Sequence, residues 1–310
     1  MRIKYGSYGI TTLGSSASSG VAGYFGGGSD SVGDLSGIDK ITFPADSKTT
    51  LSATLTTGRR SMGGMANSTV AGYFGGGFDD GNLSGIDKIA FPGDTKTTLS
   101  ATLTTATREL AGMANSSTAG YFGGGSQPLS GIDKIAFPAD TKTTLSATLT
   151  SARDAPAGMA NSSTAGYFGG GEAGSAVNGI DKIAFPADTK TTLSATLTTA
   201  SYFVGGMANS GAAGYFGGGF TGSVSLSQID KIAFPADTKT TLSATLSSLR
   251  RQLAGMANSG TAGYFGGGDD GANISGIDKI AFPADTKTTL SATLTTARKN
   301  LSAMADSGAI

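Results

Sequence analysis

The sequence lacks three of the side chains on which metal and redox chemistry in proteins commonly depends. Its 310 residues include no cysteine, no histidine and no tryptophan. Without cysteine, the chain can form no disulfide, no thiolate metal site and no cysteine nucleophile. Without histidine, it can form neither a Ser-His-Asp triad nor a histidine-ligated zinc or copper site. Polysaccharide-cleaving enzymes that use only carboxylates remain open.

A charge excess and a long apolar run are also absent. The 22 basic and 22 acidic residues cancel, so no long-range field favours nucleic acid or an anionic membrane. No apolar segment approaches the roughly 18 residues of a membrane-spanning helix, and the N-terminal "MRIKYGSYGITTLG" lacks the apolar core of a signal peptide. We therefore expect no nucleic-acid partner, no membrane insertion and no signal peptide. The lack of cysteine is compatible with a cytosolic protein and with an exported particle that assembles in the cytosol.

The sequence is dominated by an internal repeat. The heptapeptide "AGYFGGG" occurs six times, at intervals of 46 to 49 residues. Its tyrosines are Tyr24, Tyr73, Tyr121, Tyr167, Tyr215 and Tyr264. A period of this length indicates one closed array or one solenoid of small units, rather than the two domains that chain length alone would suggest.

Each repeat predicts four short strands and no helix. In the repeat at 110–157, the strand candidates are 111–116 ("AGMANS"), 118–124 ("TAGYFGG"), 132–137 ("IDKIAF") and 142–150 ("KTTLSATLT"). Aromatic and β-branched residues, or alternation of apolar and polar residues, mark the last three as strands. "FPADTK" and the glycine triplet are turn sequences. The unit is therefore predicted to be a sheet of four antiparallel strands.

A four-stranded sheet with two apolar faces is not stable alone, but six such sheets can stack around an axis. The predicted fold class is all-β: a six-bladed β-propeller with four antiparallel strands per blade. Residues 13–310 are assigned to the propeller, and 1–12 to an N-terminal arm that either docks on a partner subunit or is a frayed end. Residues 301–310 repeat the first strand of the unit, and 13–20 occupy the same place at the N-terminus. Either copy could close the ring.

The repeat resembles the kelch repeat along residues 13–310. Kelch units have a strand that ends in a double glycine, an acidic and aromatic third strand, a turn rich in Asp, Pro and Thr, and an arginine before the next unit. The corresponding segments here are "GYFGGG", "IDKIAF", "PADTKT" and "TTLSATL", followed by Arg59, Arg108, Arg153, Arg250 and Arg298. The tryptophan of the kelch fourth strand is missing, and Thr or Leu stands in its place.

This resemblance implies a propeller that serves in binding or structure. Near-identical arrays rich in Gly, Thr and Ser are similar to phage virion and tail-fibre proteins, so a virion or extracellular location and contacts with other virion subunits are expected. The kelch-like enzyme galactose oxidase has a copper site built from histidines and a Tyr–Cys cross-link, and this sequence contains neither His nor Cys. We therefore expect a non-catalytic protein without a cofactor.

Variation between the six repeats is concentrated in two loops. One joins strands 2 and 3, and the other joins strand 4 to strand 1 of the next unit, whereas the "PADTK" turn between strands 3 and 4 barely changes. In an up-and-down blade the 2–3 and 4–1 loops emerge on the same side of the disc. This side is the predicted binding face for a host glycan or protein, although loop drift would also produce variation. Its candidate residues are Asp30, Asp34, Arg60, Phe78, Asp79, Asp80, Asn82, Glu172, Tyr202, Phe203, Phe220, Arg251, Asp269, Asp270 and Asn273.

The residue types of these loops leave several kinds of contact open. Phe78, Tyr202, Phe203 and Phe220 offer aromatic surface to a sugar or a protein, or else pack under their own loops. The acidic loops could ligate calcium, although short Asp-Gly runs are ordinary turn sequences. The arginines could hold an anionic glycan, but one at each blade boundary is better explained as a tie between blades. Six Asp-Lys pairs in the third strands are predicted to bond to neighbouring blades, because adjacent strand residues point to opposite faces.

Two alternatives to a surface-binding protein follow from the same residues. The first is a polysaccharide hydrolase or lyase that works through carboxylates. Glu109 and Glu172 are the only glutamates, and the loop aspartates are not evidently paired. The second is an intracellular protein-interaction scaffold, as many kelch propellers are, for which a fused adaptor domain would be expected.

Overall fold

A computed structural model describes residues 22–306, which form six sheets of four antiparallel strands. The inner strands, which surround the axis, are β4 (Gly63–Asn67), β8 (Ala111–Asn115), β12 (Ala157–Asn161), β16 (Gly205–Asn209), β20 (Ala254–Asn258) and β24 (Ser302–Ala305). The second strands are β1 (Ala22–Gly26), β5 (Ala71–Gly75), β9 (Ala119–Gly123), β13 (Ala165–Gly169), β17 (Ala213–Gly217) and β21 (Ala262–Gly266). The third strands are β2 (Ile38–Thr42), β6 (Ile86–Ala90), β10 (Ile132–Ala136), β14 (Ile180–Ala184), β18 (Ile229–Ala233) and β22 (Ile277–Ala281). The outer strands are β3 (Ser47–Thr50), β7 (Thr95–Thr98), β11 (Thr141–Thr144), β15 (Thr189–Thr192), β19 (Thr238–Thr241) and β23 (Thr286–Thr289).

The six sheets are the blades of a closed propeller. Blade 1 combines β24 with β1, β2 and β3, and blades 2 to 6 each take four consecutive strands, from β4–β7 to β20–β23. The inner strands of adjacent blades pack on one another around the whole ring, including β24 against β20 and β4. The all-β, six-bladed propeller predicted from the sequence is confirmed. Between residues 22 and 306 there is no helix long and apolar enough to cross a membrane.

The C-terminal copy of the first strand closes the ring. β24 pairs antiparallel with β1, with Gly23 opposite Ala305 and Gly26 opposite Ser302. This settles one alternative that the sequence left open. The N-terminal copy at 13–20 and the predicted arm at 1–12 lie outside the described residues.

The outer strand is shorter than the sequence predicted. In the third blade it ends at Thr144, whereas the alternation of apolar residues predicted a strand over 142–150. Beyond Thr144 the chain leaves the outer edge, and the N–H of Leu149 donates to the carbonyl of Ser130 at 2.9 Å. Leu149 is buried and Leu145 packs against the same core cluster. The alternation therefore reflects burial of two loop leucines and not a strand.

Glycines of the repeated heptapeptide allow neighbouring blades to approach closely. A Cβ atom at Gly166 would overlap the sulfur of Met113 from the preceding blade, and one at Gly123 would overlap the ring of Phe168 from the following blade. The same two contacts recur at all six blade boundaries. The "GYFG" motif is thus architectural, because each glycine makes room that a Met or Phe of the adjacent blade fills.

A second set of contacts joins the tyrosine and lysine of one blade to the 3–4 turn of the next. Tyr121 stacks on Phe185 with 5.1 Å between ring centroids, and its hydroxyl donates to Asp188 Oδ1 at 2.8 Å. Lys134 donates to Asp188 Oδ2 at 2.6 Å. Equivalent bonds cross every boundary, including the one between blades 6 and 1. The lysines of the Asp-Lys pairs therefore bond to neighbouring blades, as predicted.

The aspartates of the same pairs anchor the 4–1 loops. Asp181 accepts hydrogen bonds from the N–H and hydroxyl of Thr150 in the preceding loop, at 2.9 and 2.6 Å, and from the Thr192 hydroxyl at 2.8 Å. Arg153 donates to Asp181 at 2.8 Å, and both side chains are almost fully buried. Burial alone would raise the pKa of the Asp181 carboxyl, but the threonine hydrogen bonds and the Arg153 charge hold it below its ordinary value. In all six loops a Thr or Ser N–H donates to the equivalent aspartate, which holds this part of the loop against the next blade.

Arginine fills this buried position in four of the six loops. In the order of the chain, the six equivalent residues are Arg59, Thr107, Arg153, Ser201, Arg250 and Arg298. The sequence interpretation that placed Arg108 in this series was wrong, because Thr107 is the buried residue and Arg108 lies one position later, on the surface side of the loop. The four buried arginines tie the loop to the next blade, as expected, and are closed to a ligand.

Candidate binding face and channel mouth

The 2–3 and 4–1 loops lie together on one side of the disc. The N–H of Phe78 in a 2–3 loop donates to the carbonyl of Arg60 in a 4–1 loop at 2.9 Å, and the N–H of Arg60 donates back at 3.2 Å. The 1–2 and 3–4 turns meet on the other side, where the N–H of Phe137 donates to the carbonyl of Thr118 at 2.8 Å. The loops that vary between repeats therefore share one face, here called the variable face.

Each blade presents one residue of the 4–1 loop beside one residue of the 2–3 loop, joined through the backbone. From blade 1 to blade 6 these pairs are Lys299–Ser29, Arg60–Phe78, Arg108–Ser126, Asp154–Glu172, Tyr202–Phe220 and Arg251–Asp269. Four pairs contain a cation and the blade 5 pair is aromatic. The blade 4 pair differs, because it sets two carboxylates opposite each other.

The next residue of each 4–1 loop belongs to a closed circle of backbone hydrogen bonds around the axis. These six residues, here called the mouth ring, are Ser61, Glu109, Ala155, Phe203, Gln252 and Asn300. Each N–H donates to the carbonyl oxygen of the equivalent residue in the preceding blade, at 2.7 to 3.2 Å. All six have a positive φ, between 47° and 59°. Because the circle uses only backbone atoms, its side chains can vary without breaking it.

The mouth ring surrounds a cavity of about 110 Å³ on the propeller axis, here called the channel mouth. The rest of its wall is formed by the first residues of the six inner strands. These strands approach one another so closely that a Cβ atom at Gly112 would overlap the carbonyl oxygen of Gly64. The side chains available to a molecule in the cavity are therefore mainly those of the mouth ring.

The ring of Phe78 contacts two arginine side chains, one from blade 2 and one from blade 3. The guanidinium carbons of Arg60 and Arg108 are 4.6 and 4.7 Å from the centre of its ring. Arg60 donates to both carboxylate oxygens of Asp34 at 2.6 Å, and Arg108 lies 3.7 Å from a carboxylate oxygen of Glu109. Phe78 is half-buried against these groups. Stacking holds the ring and both cations in place before any ligand arrives.

Three aromatic residues form a cluster on blade 5. Tyr202 meets Phe220 edge-on at 5.6 Å and Phe203 at a tilt of 51° and 5.0 Å. The guanidinium carbon of Arg251 is 4.2 Å from the centre of the Phe220 ring. All three aromatics are half-buried, and Phe203 also belongs to the mouth ring. This aromatic cluster therefore extends from the variable face to the channel mouth.

Three carboxylates gather beside the aromatic cluster. Burial raises the pKa of Glu109, and the charges of Asp154 and Glu172 raise it further against the opposing charge of Arg108. Burial and the charge of Glu172 also raise the pKa of Asp154. Burial, followed by the charge of Glu172, raises the pKa of Tyr202. Glu109, Asp154 and Glu172, here called the acidic group, therefore share one electrostatic environment with Tyr202.

The acidic residues of the 2–3 loops mainly stabilise their own turns and nearby cations. Asp30 Oδ1 accepts from the N–H groups of Val32 and Gly33 at 2.7 and 3.0 Å. Asp269 accepts from Lys299 at 2.7 Å. The other predicted acidic and amide residues of these loops are Asp79, Asp80, Asn82, Asp270 and Asn273. Over residues 22–306, no group of three or more acidic side chains has a geometry suited to a metal ion, and calcium ligation stays a prediction.

All the candidate residues lie in the loops of the variable face, but Phe203 alone among them belongs to the mouth ring. The sequence interpretation named Glu109 only for the hydrolase alternative, and it did not select Asp154, Gln252 or Asn300. The sequence nevertheless contains a signal for the mouth ring. At this position of the 4–1 loop, the six repeats have six different residue types.

The comparisons with known proteins support the fold. No model of a known protein family matches the chain, and no curated protein matches it. Among solved structures, that of YjhT is similar, with a TM-score of 0.67 and 13% sequence identity, over 86% of this chain and 96% of that chain. At this identity the likeness shows the fold alone. The class of protein is therefore a six-bladed β-propeller, and the kelch and phage resemblances stay predictions.

Proposed function

We propose that the protein is a non-catalytic binding module of a phage virion or tail fibre, which recognises a host-surface glycan or protein through its variable face. One observation carries the proposal. The position that differs in all six repeats is the position that surrounds the axial cavity. Variation thus converges on the place where a propeller offers a ligand the most enclosing surface.

Solvent exposure does not explain where the variation lies. The serine of the "LSATL" segment is exposed in all six blades and is identical in all of them. The six mouth-ring residues are buried or half-buried, and no two are alike. Drift in unconstrained loops would produce the opposite pattern, with most change at the most exposed positions. The pattern supports a variable ring that serves recognition.

A glycan array and a cell-adsorption assay with the purified chain test this proposal. Phe78→Ala and Phe220→Ala remove the rings that order the cations of the variable face, and each is expected to weaken binding about tenfold or more. Val70→Ala is the control, because Val70 is exposed in a 1–2 turn on the opposite face. No binding to any glycan or cell, or equal loss from Val70→Ala, would refute the proposal.

A carboxylate-dependent polysaccharide hydrolase or lyase is the second candidate. The acidic group favours it, since a carboxyl group of raised pKa near other carboxylates is the arrangement that glycosidases use. Release of reducing ends that Glu109→Gln abolishes would support this candidate. Binding of a polysaccharide without cleavage would support the binding module instead.

A further inference from the structure

The mouth ring has its smallest side chain at Ala155, which lies between Glu109 and Phe203 in the order of the blades. Glu109 lines the cavity on one side of Ala155, and Phe203 brings the aromatic cluster to the cavity wall on the other side. Asp154 and Glu172 lie in the same blade as Ala155, outside the cavity wall on the variable face. The wall therefore has a carboxylate on one side of Ala155 and an aromatic ring on the other, with the Asp154–Glu172 pair beside them.

Among the paired positions, blade 4 is the one that has charged side chains and no cation. The cations of the paired positions each have an acidic neighbour: Lys299 with Asp269 at 2.7 Å, Arg60 with Asp34 at 2.6 Å, Arg108 with Glu109 at 3.7 Å and Arg251 with Asp269 at 3.9 Å. Asp154 and Glu172 instead face each other across two backbone hydrogen bonds of 2.9 Å. No salt bridge among residues 22–306 includes either of them. Like charges placed directly opposite destabilise a strand pair, and a bound cation would remove that cost.

Two side-chain oxygen atoms of the 4–1 loops have no donor. Asp154 Oδ1 and Gln252 Oε1 are both enclosed by protein, and neither accepts a hydrogen bond from any atom of residues 22–306. Gln252 belongs to the mouth ring and follows Phe203 in the circle. Buried acceptors without donors are destabilising, and a side-chain rotation that exposes either oxygen would let it accept from the N–H or O–H groups of a ligand. A primary ammonium supplies three donors and a positive charge at one atom.

We propose that the channel mouth binds a protonated amino-sugar residue of a polysaccharide, with its ammonium group toward the acidic group and the C–H face of its sugar ring on the aromatic cluster. This inference rests on the proposed function. The cavity of about 110 Å³ has room for a group no larger than one sugar ring. An aromatic surface next to carboxylates discriminates in favour of a cation and against an anionic sugar, which the acidic group repels.

Isothermal titration calorimetry with two matched ligands tests the inference. Glucosamine oligomers carry free ammonium groups, and N-acetylglucosamine oligomers of the same length have the same ring without the charge. The free-amine oligomer is expected to bind at least tenfold more tightly near pH 6. Glu172→Gln and Asp154→Asn are expected to reduce its affinity about tenfold, and Glu172→Asp, which keeps the charge, is expected to retain most of it.

The thermal stability of the variants separates binding from folding. Glu172→Gln removes a like-charge contact, so its unfolding temperature is expected to stay the same or rise while its affinity falls. Equal affinity for free and acetylated oligomers, or tight binding of an acidic glycan at this face, would overturn the inference and leave the proposed function standing. A lysine-rich peptide that binds as tightly as the free-amine oligomer would overturn the assignment to a sugar. Failure to bind any glycan or any cell would overturn the proposed function itself.

Discussion

Replacing Asp306 with asparagine is expected to strengthen the closure of the ring at neutral pH. Asp306 follows β24, and the equivalent residues of the other blades are Asn67, Asn115, Asn161, Asn209 and Asn258. In blades 2 to 5, the asparagine oxygen accepts an N–H from the 1–2 turn of the next blade at 2.8 to 3.1 Å. Asp306 Oδ1 is enclosed, and it has no hydrogen-bond partner within residues 22–306. The closing blade therefore carries a charge where the others carry a neutral amide.

The size of the effect follows from the pKa of Asp306. Burial raises this pKa to about 6, against the opposing contributions of the Ala22 backbone and Lys40, and the charge of Asp94 adds to the rise. A rise of about two units corresponds to about 3 kcal/mol for a fully enclosed carboxylate. Because Asp306 is only partly enclosed, solvent screening reduces the expected value to about 1–2 kcal/mol. Asp306 binds more protons in the folded than in the unfolded state between about pH 4 and 6, so its contribution to stability falls as pH rises through this range and then levels off.

Urea unfolding followed by far-UV circular dichroism measures the prediction. Asp306→Asn is expected to raise the free energy of unfolding by about 1–2 kcal/mol at pH 7.5 and to change it little at pH 4. Asn161→Asp is the matched control, because it introduces the same acid at an ordinary blade boundary, and it is expected to destabilise at pH 7.5 by a similar amount. A gain from Asp306→Asn that is equal at both pH values, or no gain at pH 7.5, would refute the electrostatic explanation.

Two further substitutions test what holds the blades together. Arg153→Thr copies the natural residue of the preceding loop, and we expect it to cost about 2 kcal/mol, less than the roughly 3–5 kcal/mol of a broken buried pair, because Thr150 and Thr192 still bond to Asp181. Arg108→Thr at the surface position should cost under about 0.5 kcal/mol. Thermal unfolding of both variants measures the difference, and equal costs would contradict the assignment of the two positions. Gly112→Ala is expected to cost about 1–3 kcal/mol, since its Cβ atom would overlap the Gly64 carbonyl. Gly131→Ala, whose Cβ atom would meet nothing within 4 Å, should be neutral, and similar melting temperatures for the two variants would show that the inner strands are not in close contact.

The sequence was sufficient for the fold but not for the last strand of each blade. Apolar residues and turn signals located the first three strands of a repeat to within about one residue, because these strands are largely buried and bounded by recognisable turns. The outer strand was overestimated, because Leu149 is buried by a loop and alternation alone does not distinguish a loop that returns to the core from a strand. The sequence also indicates which terminal copy closes the ring. Met304 packs where a Cβ atom at Gly72 would lie, as the methionines of other blades do, whereas "LGSSASSG" at 13–20 contains no methionine.

The variable face was predictable and the channel mouth was not, for a physical reason. Alternation of strand direction determines which loops share a face, so counting strands was enough to bring the variable loops together. Which loop residue points to the axis depends instead on hydrogen bonds to a buried aspartate, such as those from Thr104 to Asp133. Thr107 takes the buried position after that anchor although arginine takes it in four other loops. Alignment by residue type therefore puts Arg108 at the buried position, and only the hydrogen bonds to Asp133 show that Thr107 occupies it.

The backbone of the mouth ring gives an independent reason to regard its side chains as functional. A φ between 47° and 59° is the left-handed region that favours glycine, and another residue type there costs on the order of 1 kcal/mol. This chain contains 50 glycines and uses none of them at the six positions of the ring. The hydrogen-bond circle runs entirely between backbone atoms and would form with glycine as well. The circle therefore does not need side chains at these positions, and the proposed recognition accounts for their presence, at a conformational cost, in six different types around one cavity.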